Sequence, residues 1–252
     1  MIFQNDTTTI CFDVLHDEYL GIKTPLLFLH SALGTRHEFD KLKEYYSDRT
    51  LILPDFPSHG ESTTTLAKLT MRDLANYVRD LLIYLEISSV DIIGYSMGGY
   101  AAIELALQSR SLVRSITSHA MKFYWTEEAI ADALSVLDPA QIWSRSEKAY
   151  AALSVMHEAN GLERTCALAS GVIEYFRKSQ LNEEDVARLE CPLLLSTGDS
   201  DAMVTPEEVT RLYQSLPKEK NYLAIEPHSP HQILKLDLGM FTESVRIFQR
   251  TI

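Results

Sequence analysis

The chain has 252 residues and a net charge of −12, from 23 Lys and Arg against 35 Asp and Glu. This length suits one large domain, or one domain with an inserted lobe, because domains usually contain roughly 100–200 residues. An acidic chain without a run of basic residues lacks the positive surface that nucleic acids require, so we predict no nucleic-acid partner. Three cysteines, odd in number and far apart, exclude a disulfide framework and a CxxC metal site.

The N-terminal segment and the hydropathy of the chain bear on its location. Met1–Asp6 lacks a basic region followed by an apolar run. No stretch reaches the roughly 18 apolar residues that a membrane span needs. We therefore expect a cytoplasmic protein without a membrane partner, as a monomer or a homodimer.

Short β-rich runs alternate with helical patterns along the chain, which is typical of a mostly parallel sheet with helices on both faces. The predicted strands are, in order, Thr9–Leu15, Pro25–His30, Arg49–Phe56, Val90–Tyr95, Leu112–His119, Pro192–Thr197 and Asn221–Ile225. The predicted helices that cover this sheet are Met71–Ile87, Met97–Gln108, Pro206–Leu216 and Met240–Arg250. The expected fold class is therefore α/β.

About 75 residues separate the fifth and sixth predicted strands, and this interval contains no strand pattern. Three helical patterns occupy it, over Thr126–Leu137, Ser144–Ala159 and Leu162–Lys178. We therefore predict an all-helical cap over residues 121–180, inserted into an α/β core that consists of residues 1–120 and 181–252.

The segment Gly94–Gly98 has the sequence G-Y-S-M-G, follows an apolar strand and opens a helix. In that setting the pattern G-x-S-x-G indicates a nucleophile elbow, a sharp and strained turn that exposes the serine hydroxyl. The glycines prevent clashes between strand and helix, and the turn directs the Met97 amide toward the position of a tetrahedral oxyanion. Ser96 is the predicted nucleophile.

Three segments, in this order, resemble motifs of the α/β-hydrolase fold superfamily: Leu29–Gly34 its oxyanion loop, Asp55–Ser62 its D-x-x-G-H-G-x-S segment, and Gly94–Gly99 its elbow. The resemblance covers essentially the whole chain. It implies a serine hydrolase, similar to esterases and lactonases, with a helical cap. It implies no metal and no organic cofactor, because a neighbouring base activates the nucleophile.

In this superfamily the nucleophile is followed along the chain by an acid and then by a histidine. The family spacing of Gly, two residues and Asp selects Asp201, with Asp199 as the alternative. The segment Glu226–His231 resembles the family pattern G-H-x-P-H, in which the first histidine is the base. The resemblance therefore implies His228 as the base, with His231 as the alternative, although proline replaces the usual glycine before His228.

The resemblance also assigns backbone donors and a substrate pocket. The amides of Ala32 and Met97 are the implied oxyanion hole, and Ser31, where the family usually has Gly, is expected close to the acyl group. Four further side chains are predicted to line the pocket because they lie at or just beyond the end of a core strand: His119, Phe123, Tyr124 and Trp125.

The sequence thus predicts a serine hydrolase that cleaves a small carboxylic ester, lactone or thioester through an acyl-enzyme. The same motifs fit a carbon–carbon bond hydrolase or an acyltransferase that uses the same three residues. The alternative from another class is a ligand-binding protein of this fold without catalytic activity.

Overall fold

The apolar runs of the chain form a nine-stranded sheet in a computed structural model that describes residues 1–252. The strands are β1 Ile2–Gln4, β2 Thr8–Leu15, β3 Leu26–Leu29, β4 Leu51–Pro54, β5 Thr63–Thr64, β6 Val90–Tyr95, β7 Val113–His119, β8 Leu193–Gly198 and β9 Asn221–Glu226. Their order is β1-β2-β4-β3-β6-β7-β8-β9, with β5 paired to β2. The pairs made by β2 are antiparallel, and every pair from β4 to β9 is parallel.

Helices cover both faces of the sheet, which is why β3, β4, β6 and β8 are buried along their whole length. The helices are α1 Met71–Tyr84, α2 Met97–Gln108, α3 Glu127–Leu137, α4 Pro139–Arg145, α5 Glu147–Met156, α6 Leu162–Tyr175, α7 Glu183–Ala187, α8 Pro206–Ser215 and α9 Leu238–Arg250. None of them combines the length and the hydropathy that a bilayer-crossing segment needs.

Successive side chains of β3 belong to two different layers of the core, one on each face of the sheet. Leu27 and Leu29 belong to the larger apolar cluster, which contains α1, α2 and α8, whereas Leu26 and Phe28 belong to a smaller cluster that contains α9. Successive side chains of a strand point to opposite faces, so one short strand serves both clusters. The predicted fold class, a mostly parallel sheet between two helical layers, is confirmed.

Five helices, α3 to α7, lie between β7 and β8, where the sequence contains no strand pattern. The helical stretch predicted over Ser144–Ala159 contains α5 and only the last two residues of α4, because the Ser146 hydroxyl accepts the Ala149 N–H at 3.1 Å and begins a new helix. Asp138 begins α4 in the same way, with the Ala140 N–H at 2.8 Å from its carboxylate. Local capping residues therefore determine the number of helices in the cap.

The cap is hydrogen-bonded to the core at the end of α5. His157 accepts the Gly60 N–H at its Nδ1 (3.0 Å) and donates from Nε2 to the Leu33 carbonyl (3.0 Å). Asn160 donates to the Ser62 carbonyl at 2.7 Å. These bonds join one side of the cap to two core segments next to the carboxyl edge of the sheet.

Candidate active site

Ser96 occupies the turn between β6 and α2, with φ 52° and ψ −113°. Residues other than glycine rarely adopt this strained conformation. The neighbouring residues must be small: a Cβ on Gly94 would lie 2.5 Å from the Gly98 carbonyl oxygen, and one on Gly98 would lie 2.0 Å from the Leu29 oxygen. The G-x-S-x-G pattern is therefore a steric requirement of this turn, which has the geometry of a nucleophile elbow.

Asp201 lies in the loop after β8, and its carboxylate is fully buried. One oxygen accepts the Met203 and Val204 N–H groups, each at 2.8 Å, and the other accepts a hydrogen bond from His231 Nδ1 at 2.8 Å. Burial alone would raise the pKa of this carboxyl group, but the bond and charge of His231 and the two amides together hold it below the usual value. Asp201 is thus an ionised carboxylate that orients an imidazole.

The partner of Asp201 is His231, so the expectation that Asp201 orients His228 is wrong. The turn after β9 is the reason. The Ser229 N–H donates to Asp199 at 3.2 Å, and His228 adopts a left-handed φ of 52°, with an exposed ring that makes no hydrogen bond. Asp199, the alternative acid, is exposed and helps to shape this turn instead of contacting an imidazole.

A cavity of about 640 Å³ lies between the cap and the carboxyl edge of the sheet. Ser96 and His231 both line it, although no hydrogen bond joins them. Such bonds are often long until the substrate complex forms. Most of the remaining lining is apolar, and much of it comes from one face of α3: Ala129, Ala133, Val136 and Leu137.

Two of the predicted pocket side chains, Ser31 and Trp125, line this cavity. His119 does not, because it is fully buried in the sheet, with its Nδ1 3.1 Å from Ser196 Oγ. Burial lowers the pKa of His119 to about 4, so this imidazole is neutral at physiological pH. Tyr95 lines the cavity, and its ring centroid lies 6.0 Å from that of His119.

Phe123 and Tyr124 also lie outside the cavity. Their backbone N–H groups donate to the Glu208 carboxylate at 3.0 and 3.3 Å, which fixes this segment against α8. The Tyr124 hydroxyl donates to Glu183, and the Arg211 guanidinium lies 4.1 Å from its ring centroid. Both residues therefore attach this segment to α8, Phe123 through its backbone and Tyr124 also through its side chain, a role that their position after β7 did not reveal.

Ala32 and Met97 both line the cavity, and neither backbone N–H donates to an acceptor in the protein. Met97 is the first residue of α2, where the amide has no partner within the helix. Two unpaired amides at the cavity, one of them directly after Ser96, are the kind of donors that an oxyanion hole requires.

The loop that carries Ala32 is held by buried groups. The Arg36 N–H donates to Asp55 at 2.7 Å. His30 accepts the Phe56 N–H at Nε2 (2.8 Å) and donates from Nδ1 to the Ser31 carbonyl (2.8 Å). Burial lowers the pKa of His30 to about 3, so it remains neutral and serves as a structural residue.

Sequence and structure comparisons agree with this architecture. A family model described as alpha/beta hydrolase fold matches residues 24–145. The structure is similar to that of a thermophilic esterase from Thermogutta terrifontis, with a TM-score of 0.78 and 19% identity, over 99% of this chain and 98% of that one. A meta-cleavage product hydrolase is similar with a TM-score of 0.80 and 15% identity, over 100% and 98% of the two chains. The chain therefore has the α/β-hydrolase fold.

Among curated proteins, an uncharacterized protein of Mycobacterium tuberculosis is 42% identical over 64 residues. That match covers 25% of this chain and only 19% of the relative. The similarity is therefore local, and function has to be argued from the site itself.

Proposed function

We propose that this protein is a serine hydrolase that cleaves small carboxylic esters, including lactones or thioesters. The observation that carries the proposal is the 2.8 Å bond between Asp201 and His231 Nδ1, at a cavity that Ser96 also lines from a nucleophile elbow. A serine hydroxyl is a weak nucleophile at neutral pH, and an imidazole oriented by a carboxylate is the group that activates it.

In the proposed reaction, Ser96 Oγ attacks the substrate carbonyl while His231 Nε2 accepts the hydroxyl proton. The carboxylate of Asp201 keeps the proton on His231 Nδ1 and stabilises the imidazolium that forms. The Ala32 and Met97 N–H groups bind the oxyanion. His231 then donates its proton to the leaving alcohol, and water, activated by the same imidazole, releases the acid and regenerates Ser96.

The cavity supports a small substrate with an apolar part. Its volume of about 640 Å³ falls within the range of small-molecule sites, and 14 of its 21 lining residues are hydrophobic. Lys122, a charged residue of the lining, is paired with Glu208. The apolar cap would exclude water from the reacting carbonyl and strengthen the oxyanion contacts.

A carbon–carbon bond hydrolase is the second candidate, because the similar meta-cleavage product hydrolase has the same fold over nearly its whole length. The two activities differ in the bond that is cleaved and share the proposed nucleophile. Turnover of p-nitrophenyl esters compared with that of vinylogous diketones, on the same purified protein, separates them.

Replacing the nucleophile tests the proposal directly. We expect Ser96→Ala to abolish both labelling by a fluorophosphonate probe and p-nitrophenyl acetate hydrolysis, because both require the hydroxyl. The thermal unfolding midpoint should stay near that of the wild type. Ser200→Ala, an exposed serine of the loop after β8, is the matched control and should label normally. Labelling retained by Ser96→Ala would contradict the proposal.

A further inference from the structure

Glu38 lies in the short 3-10 helix Arg36–Phe39, directly after the oxyanion loop. Its Oε2 accepts the Ser31 N–H at 2.9 Å, and its Oε1 accepts the Ser31 hydroxyl at 2.7 Å. Both donors belong to the residue that precedes Ala32. The carboxylate does not line the cavity, and the proposed mechanism gives it no role.

The backbone of the oxyanion loop packs closely on this carboxylate. A Cβ on Gly34 would lie 2.4 Å from Glu38 Cδ, so any other residue here would displace the carboxylate. The Gly34 N–H donates to the Ser31 carbonyl at 3.1 Å, and Leu33 between them has a left-handed φ of 58°. A tight turn with a non-glycine residue in this region is unfavourable unless its surroundings hold it.

A carboxylate at position 38 is expected to lower the stability of the fold, so stability alone does not explain its presence. Glu38 forms no salt bridge, and burial raises the pKa of its carboxyl group even though the two bonds from Ser31 and the charge of His231 oppose the shift. A desolvated carboxylate that forms no salt bridge generally destabilises a fold. Both of its hydrogen bonds are made to a single residue, which points to positioning of that residue.

We propose that Glu38 is the positioning residue of the oxyanion hole, and that its two bonds to Ser31 keep the Ala32 N–H directed at the carbonyl oxygen of the substrate. It acts through Ser31 and Ala32 and does not touch the substrate. The inference rests on the proposed hydrolase function. It also accounts for serine at position 31, where the resembling family usually has glycine, because the hydroxyl supplies the second bond.

The effect on catalysis should appear in kcat more than in KM. Oxyanion contacts strengthen as charge develops in the transition state, so a misdirected amide affects the reacting state more than the bound ester. We expect Glu38→Ala to lower kcat for a p-nitrophenyl ester about 10- to 100-fold, with KM changed less than about 3-fold.

Glu38→Gln is the conservative variant. Its amide oxygen can accept the Ser31 N–H, and its amide nitrogen can donate to Ser31 Oγ. We therefore expect this variant to keep kcat within about 5-fold of the wild type. Glu44→Ala removes an exposed carboxylate from the neighbouring 3-10 helix Lys43–Tyr46 and should have wild-type kinetics, as the matched control.

Hydrogen exchange measured by mass spectrometry tests the same inference without turnover. Glu38→Ala should speed exchange in peptides that contain Ser31 and Ala32, whereas Glu38→Gln and Glu44→Ala should not. Exchange and kcat that are unchanged in Glu38→Ala would overturn the inference, and so would equal losses in the alanine and glutamine variants. A wild type that is inactive on every ester overturns the hydrolase proposal instead, and the exchange result then decides the role of Glu38 by itself.

Discussion

His228 and His231 are three residues apart, yet they differ in every contact that a catalytic base requires. His231 bonds to a buried carboxylate and borders the cavity, whereas His228 is exposed. The resemblance to the family spacing pointed to Asp201, and in the structure that carboxylate is the one that bonds an imidazole. Spacing could not select the histidine, since the turn conformation decides which ring faces Asp201. The proline at position 227, in place of the family glycine, was the available signal.

The two histidines make a matched pair for mutagenesis. We expect His231→Ala to lower kcat/KM for p-nitrophenyl acetate by about 10⁴-fold or more, because it removes the base and leaves the Asp201 carboxylate without its imidazole partner. His228→Ala should remain within about 3-fold of the wild type, because its ring is exposed and makes no hydrogen bond. The opposite ranking would return the base to position 228.

Glu38 shows the same limit on sequence-based prediction. It is one of 35 acidic residues, and no motif distinguishes it. Its contact with Ser31 depends on how the oxyanion loop curls back, and that curl follows from a left-handed φ at Leu33 that side-chain patterns do not reveal.

At the scale of elements, the long core strands and helices were predictable because apolar periodicity is their main signal. The short elements were not: β1, β5 and α7 have three, two and five residues, too few to form a period. The helical insertion was predictable from the missing strand pattern, but its residue contacts were not. Residues of α3 and Trp125 line the cavity. The aromatic residues just before Trp125 pack against α8 instead.

The face that α3 presents to the cavity should control which acyl or alcohol chains fit. Ala133 lines the cavity, so Ala133→Phe should fill part of it. We expect kcat/KM for p-nitrophenyl octanoate to fall at least about 10-fold more than that for the acetate, because the longer chain needs the lost volume.

Ala131 provides the control, because it lies on the same helix, is exposed and does not line the cavity. Ala131→Phe should leave the ratio of the two rates unchanged. An identical response of both variants to chain length would mean that α3 does not contact the substrate.

At the scale of the whole molecule, buried neutral histidines link stability to pH. Burial lowers the pKa of His30 and His59 to about 3 and that of His119 to about 4, against 6.5 for an ordinary histidine. Below pH 6.5 the unfolded chain therefore binds more protons than the folded one. The free energy of unfolding should decrease as the pH falls from 6.5 toward 4.

Removing one of these groups should make that dependence less steep. We expect His119→Asn to reduce the slope of the unfolding free energy against pH by about 1 kcal/mol per pH unit between pH 6 and 4.5, slightly less than the contribution of one full proton. Urea titrations at several pH values measure it. Ser196→Ala removes the hydrogen-bond partner but keeps the imidazole, so it should retain the wild-type slope. A slope unaffected by His119→Asn would mean that this residue takes up no proton on unfolding.

The bonds of His157 have a consequence for how the cavity can open. Its imidazole joins the end of α5 to the carbonyl of Leu33, the residue that follows Ala32. A swing of this side of the cap away from the sheet would pull on the loop that carries the Ala32 amide. If substrate enters on this side of the cap, its entry would therefore also move the Ala32 amide, because the His157 bond connects the two. Movement of α3 alone would leave both bonds of His157 in place.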